Sequence, residues 1–216
     1  MNNKRIIILA NGEIKNYKYL SQYISKDDYI ICANGGTKHA LRMNITPDII
    51  IGDLDSLSNS IYNKLDRTIK VIKYPAEKDA SDLELAIKKA LELHPKEIVI
   101  LGALGKRIDH VFANTMLLAL PLEHGIKTKI LDDCHEIYII NSHLEVFGEI
   151  GDYISLFALT ADVKGITTLG LKYPLRGETL YFNNTRGLSN ELLTKNAEIT
   201  IEQGYLLVIK KNSIWI

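Results

Sequence analysis

The chain has 216 residues, and its 26 acidic and 26 basic side chains balance to a formal net charge of zero. That length accommodates one large domain or two modest ones, and the charge balance argues against sequence-independent nucleic-acid binding, which needs a basic excess. No apolar run approaches the roughly 18 residues of a membrane span. The run 6–10, behind Lys4-Arg5, is too short for a secretory leader and stops at Asn11-Gly12 like a strand entering a turn.

From Lys4 to about Asp132, short β-branched runs alternate with segments of helical spacing. Residues 6–10, 29–33, 49–51, 69–73, 98–101 and 128–131 read as buried strands. The clearest helix covers 82–94, where Leu83, Ala86, Ile87, Ala90 and Leu91 recur at i, i+3, i+4, i+7 and i+8. A second helix is expected over about 109–120. The alternation predicts a parallel sheet with helices on both faces, and such sheets bind ligands beyond the carboxyl ends of their strands. After Asp133 the texture changes. Runs 136–141, 153–159, 179–182, 197–201 and 205–210 are short and strand-like, with glycines between them and no amphipathic helix. That pattern predicts an antiparallel sandwich or barrel. The chain therefore reads as an α/β domain, residues 1–133, followed by a β domain, residues 134–216.

Cys32 and Cys134 form no CxxC, and the six histidines show neither HxxxH nor mixed Cys/His spacing. A structural zinc site is not expected. Cys32 lies inside an apolar run, where a buried reduced thiol is the ordinary reading, and the cytoplasm is the expected compartment.

Three acidic stretches fall at the ends of the expected strands: Gly52-Asp53-Leu54-Asp55-Ser56, Lys78-Asp79-Ala80-Ser81-Asp82 and Arg107-Ile108-Asp109-His110. Carboxylates gathered at one sheet edge repel one another unless protons, cations or basic partners lie between them. An all-oxygen site suits Mg²⁺, whose usual companion is phosphate. Each stretch also has a purely structural reading. Asp53 and Asp55, two apart in extended chain, address one face, but Gly and Asp also make polar turns. Ser81 and Glu84 have capping-box spacing, although a helix N-terminus also binds phosphate oxygens. Arg107 offers a fork of donors to phosphate, while Asp109 alone reads as a plain N-cap. Asn34-Gly35-Gly36 is a strand-to-helix turn whose glycines permit close approach of a ligand, or simply a tight turn.

Taken in order, these stretches resemble the bacterial thiamine pyrophosphokinase family. The resemblance extends to Gly170-Leu171-Lys172-Tyr173-Pro174-Leu175 and Leu188-Ser189-Asn190-Glu191 in the β region, so it spans most of the chain. It implies a Rossmann-like parallel sheet with flanking helices, followed by an antiparallel β-sandwich, in a homodimer with the active site between subunits. It implies ATP and thiamine as substrates and Mg²⁺ as cofactor. Asp53, Asp55 and Asp82 would hold the metal, with Asp79 and Asp109 completing an acidic wall. Ser81 and Arg107 would address phosphate, and Asn34, Gly35 and Gly36 would border the nucleotide. Tyr173 would stack on thiamine, with Ser189 and Asn190 as polar contacts. The family more often has Asp, Thr and Gly where this chain has Asn34, Ser81 and Lys106. Two rival readings are a Mg²⁺-dependent glycosyltransferase using the DxD pair and a non-catalytic nucleotide- or thiamine-binding protein.

Overall fold

The computed structural model describes residues 4–53, 69–75 and 77–212. The chain divides into two compact units, Met1–Asp133 and Cys134–Ile216.

Unit 1 carries six parallel strands: β1 (Arg5–Leu9), β2 (Tyr29–Ala33), β3 (Ile49–Gly52), β4 (Lys70–Lys73), β5 (Glu97–Leu101) and β6 (Lys127–Leu131). Their order is β6-β5-β1-β2-β3-β4. The consecutive residues Ile6, Ile7, Ile8 and Leu9 are all buried. Successive side chains in a strand point to opposite faces, so both faces are covered, as the unbroken apolar runs require. On one face, Ile7, Leu9, Ile30, Cys32 and Ile50 share a cluster with Leu20 of α1 (Tyr17–Ser21) and Ala40 of α2 (Thr37–Arg42). On the other, α3 (Asp82–Glu92) packs against β1, β2 and β3 through Leu83, Ala86, Ile87 and Ala90. Burial of the Cys32 thiol pushes its pKa up to about 12, which keeps it protonated and unreactive.

The expected second helix is interrupted. α4 (Ile108–Met116) ends, and α5 (Ala119–Glu123) begins after two intervening residues. Pro121 has no N–H to give to the Leu117 carbonyl, and Leu120 N bonds there instead at 3.2 Å in a tighter turn. The proline is tolerated because it falls in the first turn of α5, where no intrahelical donor is needed.

Unit 2 is a two-sheet sandwich. One sheet is β12 (Asn190–Glu191), β9 (Tyr153–Ala158), β14 (Leu206–Lys211) and β7 (His135–Ile140). The other is β11 (Arg176–Tyr181), β10 (Asp162–Leu169), β13 (Asn196–Thr200) and β8 (His143–Phe147). Every pairing within these sheets is antiparallel. Ile154, Leu156 and Val208 from the first sheet meet Val146, Ile166 and Ile199 from the second in one core, which decides for a sandwich over a barrel. Strands β8, β10 and β12 are additions to the sequence reading. β10 is obscured by Gly165, which sits at φ +67° where the pairing with β11 shifts register. Such a bulge breaks the alternation that marks a strand.

Candidate active site

The strand order of unit 1 reverses between β1 and β5, and their carboxyl-end loops are joined backbone to backbone. Ala10 N donates to Leu101 O at 2.8 Å, Gly12 N to Gly102 O at 2.6 Å and Glu13 N to Leu104 O at 2.7 Å. A switch point of this kind is where doubly wound sheets bind ligands. Here it opens into a cleft of about 690 Å³, lined by both loops, by Lys38, His39 and Arg42 of α2, by Ser81 and Asp82, and by Arg107, His110 and Asn114.

The acidic group gathers around Asn34. This residue starts the 3₁₀ turn Asn34–Gly36, is buried, and has φ +45°. Its Nδ2 donates to Asp53 Oδ1 at 2.8 Å and to Asp82 Oδ2 at 2.9 Å. Asp82 Oδ1 lies 2.8 Å from Lys78 Nζ. The approach is an ion pair outside hydrogen-bond geometry, so among the described residues this buried oxygen accepts no hydrogen bond. Asp55 lies outside the described residues. Asp79 is exposed in the turn before α3. Ser81 is the N-cap, its Oγ accepting from Glu84 N at 3.2 Å. The Glu84 carboxylate pairs with Lys88 at 2.6 Å, so the serine half of the expected capping box is formed.

Gly35 and Gly36 have a packing role. A Cβ on Gly36 would stand 1.9 Å from Leu9 O, and one on Gly35 would stand 2.4 Å from the Asn11 side chain. The close approach they permit is that of the β1 backbone and loop. Arg107, not Asp109, occupies the N-cap position of α4, with no side-chain cap bond. Asp109 sits in the first turn, and its carboxylate receives the Arg107 fork at 2.5 and 3.3 Å. That hydrogen bond, with the adjacent positive charge, holds the Asp109 carboxyl below its usual range. Both side chains are exposed.

Lys38, His39, Arg42 and Tyr17 are cleft residues that the sequence reading does not single out. Lys38 Nζ donates to Asn11 Oδ1 at 2.6 Å and to Asn11 O at 3.1 Å. Arg42 Nη1 donates to Tyr17 Oη at 3.0 Å and lies over that ring. The legible signal was the basic pair Lys38 and Arg42 at i and i+4, beginning two residues after the paired glycines.

In unit 2, Tyr173 is exposed, and Lys172 Nζ lies 5.7 Å from its ring centroid. The Asn190 amide grips the Tyr173 backbone from both sides, accepting from Tyr173 N at 3.0 Å and donating to Tyr173 O at 2.7 Å. Ser189 is exposed at φ +56°, with its N–H bonded to Ser155 Oγ at 3.1 Å.

A doubly wound sheet with Asp82, Lys38, Arg42 and Arg107 around its switch-point cleft, followed by a β-sandwich, is the make-up expected of a two-domain, phosphate-handling transferase. Residues 20–130 match the model of the thiamin pyrophosphokinase catalytic domain, and residues 135–206 match that of the thiamin pyrophosphokinase vitamin B1 binding domain. The chain belongs to the thiamine pyrophosphokinase family. It is 30% identical over 217 residues to thiamine pyrophosphokinase of Bacillus subtilis, covering 96% of this chain and 98% of that protein. It is 28% identical to thiamine pyrophosphokinase 1 of Arabidopsis thaliana, over 85% of this chain and 79% of the relative. The crystal structure of the Bacillus subtilis thiamine pyrophosphokinase superposes with a TM-score of 0.88 at 29% identity, covering 97% of this chain and all of the other. Neither rival reading is favoured, because the matched models are a catalytic and a vitamin-binding domain of one enzyme family.

Proposed function

We propose that this chain transfers the pyrophosphoryl group of ATP to the primary hydroxyl of thiamine, giving thiamine diphosphate and AMP. The observation that carries the reading is the convergence of Asn34 and Asp53, which follow strands, with Asp82, which opens α3, in the unit that also holds the cation-lined cleft. In the transfer, a bond forms between the thiamine oxygen and the β-phosphorus. The bond from that phosphorus to the oxygen bridging the α-phosphate breaks, and the oxygen leaves with AMP. Little covalent chemistry is required of the protein, which positions the reactants and neutralises charge.

The donor set fits Mg²⁺. Asp53 and Asp82 offer hard carboxylate oxygens, and the buried Asp82 Oδ1 already faces a positive charge, the Lys78 ammonium at 2.8 Å, in whose place a cation would stand. These two residues, with Asp55, would hold the ion, which when bound polarises phosphoryl oxygens and stabilises the leaving group. Arg107, whose Nε and Nη2 hold Asp109, would offer its remaining guanidinium edge to phosphate oxygens, and Lys38 and Arg42 add positive charge along the cleft. The N-terminus of α3 behind Ser81 presents backbone N–H groups suited to an anion. The hydroxyl proton goes to a carboxylate, Asp55 or Asp109, and Arg107 keeps the latter ionised. Asp79 belongs to the same acidic wall, which favours the cationic thiazolium of thiamine. Tyr173 supplies an exposed aromatic face on which a cation already rests. Ser189 is a polar neighbour, and Asn190 acts by pinning the Tyr173 backbone. We place the protein in the cytoplasm as a homodimer.

Incubation with ATP, Mg²⁺ and thiamine should yield AMP and thiamine diphosphate in equal amounts. Asp82→Asn should lower kcat more than about 100-fold while leaving the circular dichroism spectrum intact. Native-like turnover in that variant would remove Asp82 from the metal site, and thiamine binding without AMP formation by the native chain would favour a non-catalytic binder.

A further inference from the structure

We propose that Asn34 is a positioning residue whose uncharged amide latches Asp53 to Asp82 and keeps the two carboxylates assembled for a divalent cation. The inference rests on the reading above that these aspartates are ligands of the cation. Asp53 follows β3 and Asp82 opens α3, so nothing local in the chain brings them together. Two carboxylates drawn to one point repel, and each is stabilised only by a proton, a cation or a hydrogen-bond donor. A side-chain amide offers two N–H donors from one nitrogen. Asn34 directs them to Asp53 Oδ1 at 2.8 Å and Asp82 Oδ2 at 2.9 Å. It thereby bridges the pair through a neutral group, while a positive charge, the Lys78 ammonium, lies 2.8 Å from Asp82 Oδ1. One oxygen of Asp82 remains outside the latch, buried beside Lys78 and accepting no hydrogen bond among the described residues.

The fold holds the amide in place. Asn34 is only 9% exposed, and Thr37 Oγ1 donates to its carbonyl at 2.8 Å. Its φ of +45° is a conformation that asparagine adopts more readily than most residues. Gly52 leaves the room it needs, since a Cβ there would stand 2.7 Å from Asn34 Cβ. An amide fixed this firmly against two metal-binding carboxylates is expected to orient them.

Two variants test the latch. Asn34→Asp keeps the size of the side chain and its tolerance of positive φ, but exchanges both donors for a third negative charge. Asn34→Gly deletes the side chain and also accepts positive φ. In the absence of divalent cations, Asn34→Asp should melt below Asn34→Gly by on the order of 5 °C. Added Mg²⁺ should then raise its melting temperature more than that of the native protein. Calorimetric titration of Asn34→Gly with Mg²⁺ should show affinity weakened about 10–100-fold, with the KM for thiamine unchanged. Equal melting of the two variants without cation, or native Mg²⁺ affinity in Asn34→Gly, would overturn the proposal. Should the native protein bind no Mg²⁺, the cation reading falls by itself, and the metal-free comparison still decides the latch.

Discussion

Between Tyr17 and the Gly12 carbonyl, the His39 imidazole is committed at both nitrogens. Nε2 donates to Gly12 O at 3.0 Å, which leaves Nδ1 to accept from Tyr17 Oη at 2.7 Å. This uses the neutral ring, and burial, reinforced by the nearby charges of Lys38 and Arg42, lowers its pKa from 6.5 to about 4. In the window from about 4 to 6.5, the unfolded chain therefore binds more protons at this site than the folded one. The contribution is complete above pH 6.5 and is lost as pH falls towards 4. Thermal melts across that range should show a shallower decline for His39→Gln than for the native protein; coincident slopes would mean the imidazole is not what couples the cleft to pH. The positions of Asp53, just past β3, and of Asp82, opening α3, are legible in the sequence because each sits at the end of a patterned run. His39 stands alone in the sequence, and its role arises only when α2 is laid against the β1 loop.

At the scale of elements, α3 shows local signals agreeing with the fold. Ser81 caps it, Asp82 and Glu84 occupy its first turn, and its apolar residues meet the sheet. His94, at φ +50° just past its end, takes the left-handed position at which helices commonly terminate. Ser81→Ala should cost about 0.5–2 kcal/mol of stability, read as a lower urea midpoint with unchanged slope. No loss would mean the Oγ to Glu84 N bond contributes nothing. The break between α4 and α5 falls at Leu117 and Leu118, inside the expected span of 109–120, because Pro121 just beyond that span cannot donate to the Leu117 carbonyl. β12 was illegible for a different reason. Its two residues carry no periodicity, and it exists because β9 offers them an edge.

The whole molecule is two units with different physical logic. One is a parallel sheet whose strands are buried on both faces, and the other is a sandwich whose strands bury alternate residues. No helix among the described residues is long and apolar enough to cross a membrane. On unit 1, Ile108 and Phe112 lie one turn apart on α4 and are 80% and 62% exposed. Apolar side chains left so open suit an interface between copies. Sedimentation equilibrium should give twice the 24.3 kDa chain mass, and Phe112→Glu should shift the population to monomer. A monomeric native protein would end the homodimer proposal. What the sequence determined by itself was everything carried by short-range pattern: strand runs, the α3 face and the change of texture after Asp133. Only the tertiary structure decided the order of the strands, the switch point between β1 and β5, and the meeting of Asn34, Asp53 and Asp82. Those depend on contacts between residues far apart in the chain, and no local pattern encodes which strand ends become neighbours.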